Sequence, residues 1–336
     1  MSYSFQTQQK GLSLVELMIA LALGLMIMLG VLQIFDGNLA SSKLQTAFAR
    51  VQESGRIATE MMARDIRMAD SWGCMRDLTK IRDHLDKSDK DYANFAPNNP
   101  FESHGVSGKD NVAAGTTINS IEVVAGTDTL TLKGAHSLSS TRIVPPYMTP
   151  NAATIHLNKG NKIDIGQIVL ITDCNGGDLF SNTATNTKDS GSLVHNTGSI
   201  SNSDAPNAID NSIKDMSHTY DSTAQILVPV TKSYFVGKNS AGSNSLYRSV
   251  DGRASEIVRN VTDLQFKYGV DSNYLSHVEH FMDKVVDTYT DAAGDATMDK
   301  VISVRFVLTV ENDEGIDGDK VTKVFSATAN VRNRTL

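Results

Sequence analysis

From Leu12 to Phe35 the chain reads LSLVELMIALALGLMIMLGVLQIF, with Ser13, Glu16 and Gln33 as its only strongly polar members. A helix needs about 20 apolar residues to cross a bilayer. This stretch therefore belongs in lipid or among other apolar helices, and whatever follows must be carried beside it. Glu16 is the exception within it. A carboxylate inside a membrane helix costs on the order of 2.5 kcal/mol or more, so it marks a functional position that needs a partner. A second feature is the junction Lys10-Gly11-Leu12, where a small residue separates a basic flank from the apolar run.

The run is longer than the roughly 7–15 apolar residues of a secretory signal. Leu39-Ala40-Ser41 is the nearest approach to a small-x-small cleavage site. Lys10 on the N-terminal side fits a cytoplasmic N-terminus. Beyond Phe35 the helical pattern continues without proline to about Ala69. Leu44, Phe48, Val51, Gly55, Ala58, Met62 and Ala69 recur at steps of mostly three and four, the stripe of an amphipathic helix, while Arg50, Glu53, Arg56, Glu60, Arg64 and Arg67 fall mostly off it. Gly55 and Asp65 interrupt the stripe. As one helix, residues 12–69 would span roughly 87 Å at 1.5 Å per residue.

The N-terminal pattern resembles the class III signal of type IV prepilins. In that family a short polar leader ends in Gly, a dedicated peptidase cuts after it, the new first residue is N-methylated, and the fifth mature residue is Glu. The resemblance implies that Gly11 precedes the cut, that Leu12 is the first mature residue and the methylated one, and that Glu16 is the fifth. Leu12 stands where Phe is commonest in major pilins, and the run lacks the Pro that major pilins often carry. Cleavage leaves a charged amine on Leu12, which can pair with the Glu16 of a neighbouring subunit. Breaking such a pair strands a charge in an apolar medium, so the pair would set axial register between subunits.

Residues 76–115 are charged and then rich in Asn, Pro and Gly, and read as an irregular insertion. From there the texture is β. Ile121–Val124 and Thr129–Leu132 are expected to form a hairpin around Gly126. Thr154–Leu157, Gln167–Thr172 and Asp178–Phe180 follow as strands. Residues 181–224, dominated by Ser, Asn, Thr and Asp, are expected to form a surface loop that buries little. Strands resume at Gln225–Val236, where Pro229 suggests an edge or a bulge, and Ser245–Ser249 is expected to pair back after a turn. Leu264–Val270, Val301–Val310 and Val321–Val331 are the clearest strands, with Asn312–Lys320 as an acidic hairpin loop.

The expected fold class is α+β: a long N-terminal helix, then a β-rich, mostly antiparallel domain. The division is a leader over 1–11, a transmembrane half over 12–35, an amphipathic half over 36–70 and a periplasmic domain over 71–336. Loop insertions are expected at about 76–115 and 181–224.

The resemblance extends along the chain. Asp65-Ile66-Arg67-Met68-Ala69 with Gly73-Cys74, then Thr172-Asp173-Cys174, Val261–Val270 and the closing Val331-Arg332-Asn333-Arg334 are similar to PilW-type minor pilins. This implies a low-abundance structural and assembly subunit. It would work with other minor pilins, the major pilin and a large tip protein, prime pilus assembly at the inner membrane, and sit at or near the tip. Related readings are a minor pseudopilin of type II secretion and, from a different class, a single-pass anchored periplasmic binding protein or enzyme. The chain has two cysteines, Cys74 and Cys174. In an oxidising periplasm they would form a disulfide; the alternative is two separate buried thiols.

The net charge of −7 comes without a basic patch, which points away from nucleic acid. Enzyme motifs are not apparent, no cofactor is expected, and His136-Ser137 has no identifiable third partner for a triad. His277-Val278-Glu279-His280 lacks the H-E-x-x-H spacing of a zinc site. Asp287, Asp291, Asp295 and Asp299, and the Asp313, Asp317, Asp319 group, carry oxygen ligands of the kind calcium takes. Neither matches an EF-hand loop, and both read as solvated acidic turns.

Overall fold

One helix, α1 (Leu14–Arg67), runs 54 residues and divides into two environments. The computed structural model describes residues 11, 13–75, 77–95, 99, 105–138, 140–149, 152–198, 200, 205–273, 284–292, 295–312 and 320–335. In the first half of α1 every large described apolar residue is exposed, from Leu14 at 74% to Phe35 at 59%, and no other described part of the chain covers them. Apolar surface on this scale is stable in lipid or among other helices, not in water. In the second half Val51, Gly55, Ala58, Met62, Ala63, Asp65 and Ile66 are buried against the domain. Leu44 and Phe48, on the same stripe, remain exposed, so docking begins at about Val51.

The remaining elements are, in chain order, β1 (Ile81–Asp83), α2 (Tyr92–Phe95), β2 (Val106–Lys109), β3 (Thr117–Ile118), β4 (Ile121–Glu122), β5 (Thr129–Ser137), β6 (Thr154–His156), β7 (Ile168–Thr172), β8 (Gly177–Ser181), α3 (Thr187–Ser190), β9 (Ser192–Val194), β10 (Gln225–Lys238), β11 (Asn244–Val250), β12 (Arg253–Arg259), β13 (Val261–Val270), β14 (Thr288–Thr290), α4 (Asp295–Met298), β15 (Val301–Glu311), β16 (Thr322–Asn330) and α5 (Arg332–Thr335). A short 3-10 turn at Leu78–Lys80 precedes β1. The larger sheet runs β1-β8-β7-β10-β11-β12, with β5 on the other side of β10 and β2 beyond it. The second sheet runs β14-β13-β15-β16. Among the described pairs only β1 with β8 is parallel.

The docked half of α1 lies against both sheets. Its buried face shares one core with Leu130, Leu132, Tyr234, Val236, Val261, Leu264, Phe266, Val304, Phe306 and Leu308. Gly55 makes a close approach: a Cβ built there would fall 2.1–2.4 Å from ring atoms of Phe325 on β16. The residue that interrupts the apolar stripe thus makes room for an aromatic ring. Gly55→Leu is expected to destabilise the domain by about 1–3 kcal/mol through overpacking. In Gly55→Ala about 1 kcal/mol of gained helix propensity offsets much of the clash. Denaturant midpoints of the two variants check this, and a neutral Gly55→Leu would contradict the tight seat.

Three expectations change. Ile121–Val124 and Thr129–Leu132 do not form a hairpin: β4 pairs with β3, while β5 pairs with β10 and β2. β5 pairs with β10 over eight positions and with β2 over four, which outweighs the local turn at Gly126. Residues 181–224 are not merely a surface loop, since β9 pairs with β6 and Leu193, Ile209 and Tyr220 are buried. The 76–115 stretch likewise supplies β1, β2 and the buried Ile81, Leu85 and Tyr92. Pro229 sits inside a central strand, at the point where β10 passes from β7, paired at residues 225–227, to β11, paired at 232–238. An N–H at that position would face a gap between partners, so the sheet tolerates its absence.

Candidate functional site

The residues singled out at the N-terminus stand free of the domain. Gly11 is exposed, and Leu12 lies outside the described residues. Ser13 is the N-cap of α1, and Glu16 sits in its first turn. Glu16 is exposed among apolar neighbours. A carboxylate there is favoured by the helix dipole, but that is a fraction of the cost of placing it in lipid.

At the other end of α1 three attachments fall within ten residues. The first is Asp65, whose side chain is 8% exposed. Its Oδ1 accepts from Lys232 Nζ at 2.8 Å; its Oδ2 accepts from Tyr234 OH and Arg248 Nε, each at 2.7 Å. β10 and β11 pair Tyr234 with Arg248, so the three donors converge from adjacent strands. Burial alone would raise the Asp65 carboxyl, but the hydrogen bonds from Arg248, Lys232 and Tyr234 outweigh it and hold the group below its ordinary range.

The second attachment follows the end of the helix. Asp70 takes a left-handed backbone, φ 57°, and the chain then lies along the edge of β5: Asp70 N–H donates to Lys133 O at 2.7 Å, and Ala135 N–H donates to Ser71 O at 2.6 Å. The Asp70 carboxylate accepts from Trp72 Nε1 at 2.8 Å and from Arg334 Nε at 2.5 Å. Arg334, in α5, is 3% exposed and also donates to the carbonyls of Met298, Asp299 and Val301. The C-terminus is thereby tied to the end of α1 and to the start of β15.

The third attachment is covalent. Cys74 and Cys174 form a disulfide, with Cα atoms 5.0 Å apart, joining the segment after α1 to the β7–β8 turn. Trp72 seats beside it in a buried cluster with Met75, Ile81, Leu170, Leu179 and Leu227.

A further buried polar cluster escaped the sequence reading. Asp178 on β8 accepts from Tyr220 OH at 2.5 Å and Ser217 Oγ at 2.7 Å, and stands 2.6 Å from His84 Nε2; the other His84 nitrogen is 3.0 Å from Ile213 O. Burial raises the Asp178 carboxyl, and hydrogen bonds from His84, Ser217 and Tyr220 pull it down further than that. Nearby, burial lowers His195 to about 4, so it is neutral near pH 7. No local signal joins these residues: Asp178 lies on a strand, whereas His84, Ser217 and Tyr220 lie in irregular segments 94, 39 and 42 residues from it. Ser217 Oγ lies 3.0 Å from His218 Nδ1, and His218 Nε2 lies 3.1 Å from Asp173 Oδ2. That order resembles a triad, but the single hydroxyl proton of Ser217 is given to Asp178, so His218 Nδ1 does not accept it in this geometry.

The acidic positions separate. Asp287 accepts from Ser272, and Asp291 pairs with Lys267. His277, Glu279, His280, Asp313, Asp317 and Asp319 lie outside the described residues, and among the described residues no group of three or more His, Cys, Asp or Glu is placed to hold a metal. His136 and Ser137 end β5, and His136 borders a cleft beside Asp65.

Two comparisons bear on this arrangement. Residues 6–32 match the prokaryotic N-terminal methylation motif, and residues 233–333 match the family described as type IV pilus-assembly protein W. The second match runs from β10 through the whole second sheet to the residue before Arg334. No curated protein and no solved structure matches the chain.

Proposed function

We propose that this chain, a type IV pilus-related pilin by both of its matches, serves as a minor pilin that primes pilus assembly at the inner membrane and sits at or near the pilus tip. The observation that carries the reading is the division of α1: an exposed apolar half beginning at a methylation motif, continuous with a half fixed to the domain. Such a helix can rest in the bilayer before assembly and pack among parallel helices afterwards without changing shape, because both surroundings cover the same apolar surface.

In this reading the peptidase cuts between Gly11 and Leu12, and Leu12 is methylated. The amine of Leu12 and the carboxylate of Glu16 on adjacent subunits pair and fix their register. The Asp65 network, the Asp70–Arg334 pair and the disulfide then transmit any pull on the helix into both sheets. The work of the chain is structural, and the chemistry at Gly11 and Leu12 is done to it by other enzymes. Its partners are the peptidase, other minor pilins, the major pilin and a tip protein.

Mass analysis of the membrane fraction tests the first step. The expected product begins at a methylated Leu12; an intact start at Met1, or one beyond residue 40, would defeat the reading. Glu16→Ala is expected to leave cleavage intact while sharply reducing co-purification with other pilins. Undiminished co-purification and piliation would remove the register role.

A further inference from the structure

The cleft between the end of α1 and the face formed by β5, β10 and β11 encloses about 490 Å³, within the range that accepts a small molecule. Its polar lining includes Arg64, Asp65, His136, Lys232 and Arg248, beside apolar walls such as Leu132. Four basic side chains, Arg64, Lys133, Lys232 and Arg248, meet one carboxylate there, burial lowering Lys133 to about 8. That carboxylate is already engaged by three donors. Arg248 reaches it through Nε, which leaves the terminal nitrogens of its guanidinium, and Lys232 uses one of its three N–H bonds. Both cations keep a wet edge, at 26% and 23% exposed. Arg64 is exposed on the helix above them and makes no side-chain hydrogen bond or ion pair among the described residues.

Unspent guanidinium and ammonium donors around a partly enclosed cleft suit planar or tetrahedral oxyanions, which such groups bind through paired, charge-assisted hydrogen bonds. We infer that this cleft is a binding site for an oxyanion, a carboxylate or phosphate held by Arg64 and the free edge of Arg248 with Lys232 beside it. The headgroups of the membrane that holds α1 are not the source, because Arg64 stands roughly 43 Å along the helix from Phe35 at 1.5 Å per residue. The group comes either from a free small anion or from an acidic side chain of another protein.

The test titrates the purified full-length chain in detergent with inorganic phosphate, citrate and a hexaglutamate peptide, each against chloride at equal ionic strength. At least one probe is expected to bind, with affinity reduced tenfold or more in Arg64→Gln. That variant removes no internal contact and should melt with the parent chain. Lys323→Gln, on β16 and away from the cleft, should bind as the parent does. Binding of phosphate or citrate assigns a free anion; binding of the peptide alone assigns an acidic side chain. Failure of all three probes to exceed the chloride control, or binding that Arg64→Gln leaves unchanged, overturns the site. The titration uses a single chain, so its outcome is independent of incorporation into a filament.

Discussion

Asp65→Ala is expected to lower the stability of the domain by about 3 kcal/mol, because removing one partner of a buried charge network leaves the others uncompensated. The full range for such losses is roughly 3–5 kcal/mol, and the lower end applies because Lys232 and Arg248 keep access to water at 23% and 26% exposure. Tyr234 has no such relief: it is fully buried, and its hydroxyl loses its acceptor. The cause can be separated from simple loss of packing. If stranded charge is the cost, then Asp65→Ala combined with Lys232→Met and Arg248→Met should regain much of the loss, since apolar replacements of a buried ion network are often neutral or stabilising. A triple variant no more stable than Asp65→Ala would show that the loss came from elsewhere.

The pH dependence follows from the direction of the Asp65 shift. Its carboxyl titrates lower in the folded chain than unfolded, so the network's stabilisation is present above the unfolded value of about 4 and is lost as pH falls through the folded one. Asp65→Asn should therefore flatten the acid limb of the stability curve and leave the region near neutrality uniformly lowered. An unchanged acid limb would mean that Asp65 is not a major source of acid sensitivity, with Asp178 the next candidate, its carboxyl being lowered in the same sense.

Where the sequence was legible, one residue type dominated a regular pattern. The apolar run of α1 was visible from its length and composition, and β13, β15 and β16 from an alternation that burial follows over part of each strand. Gly55 and Asp65 read as blemishes in an otherwise apolar stripe, and both proved to be places where the helix is joined to the sheets. Their partners could not be read locally: Phe325 is far along the chain, and Lys232 and Arg248 lie 167 and 183 residues away. Residues 181–224 were misread for another reason. Their buried residues come singly between polar ones, and side chains there do the work of backbone. Asn211 both accepts from Ser181 N–H and donates to Ser181 O, extending the edge of β8 without a strand. Composition counts such asparagines as solvated, whereas this one is 2% exposed.

Replacing either cysteine with Ser is expected to lower stability by about 2–5 kcal/mol, the usual loss when a native disulfide is removed. The bridge spans 100 residues of sequence, and closing a loop of that length restricts the unfolded chain by up to about 4.7 kcal/mol in the chain-entropy view. The fold should survive the loss. β1 still pairs with β8 from Ile81↔Gly177 to Asp83↔Leu179, and Trp72 remains seated among Leu170, Leu179 and Leu227. The pairing itself is tested by non-additivity. Cys74→Ser and Cys174→Ser break the same bond, so the double variant should be about as stable as either single one; two independent buried sites would instead add. The variants should also show a larger dependence on denaturant, because an unbridged unfolded chain exposes more surface. Alkylation of the unsubstituted chain completes the set: both thiols should be blocked until reductant is added. In cells this also reports on the compartment, since a bridge that persists requires an oxidising one. Free thiols in chain taken directly from cells would place the domain on the reducing side of the membrane, where neither the bridge nor export of the domain would hold.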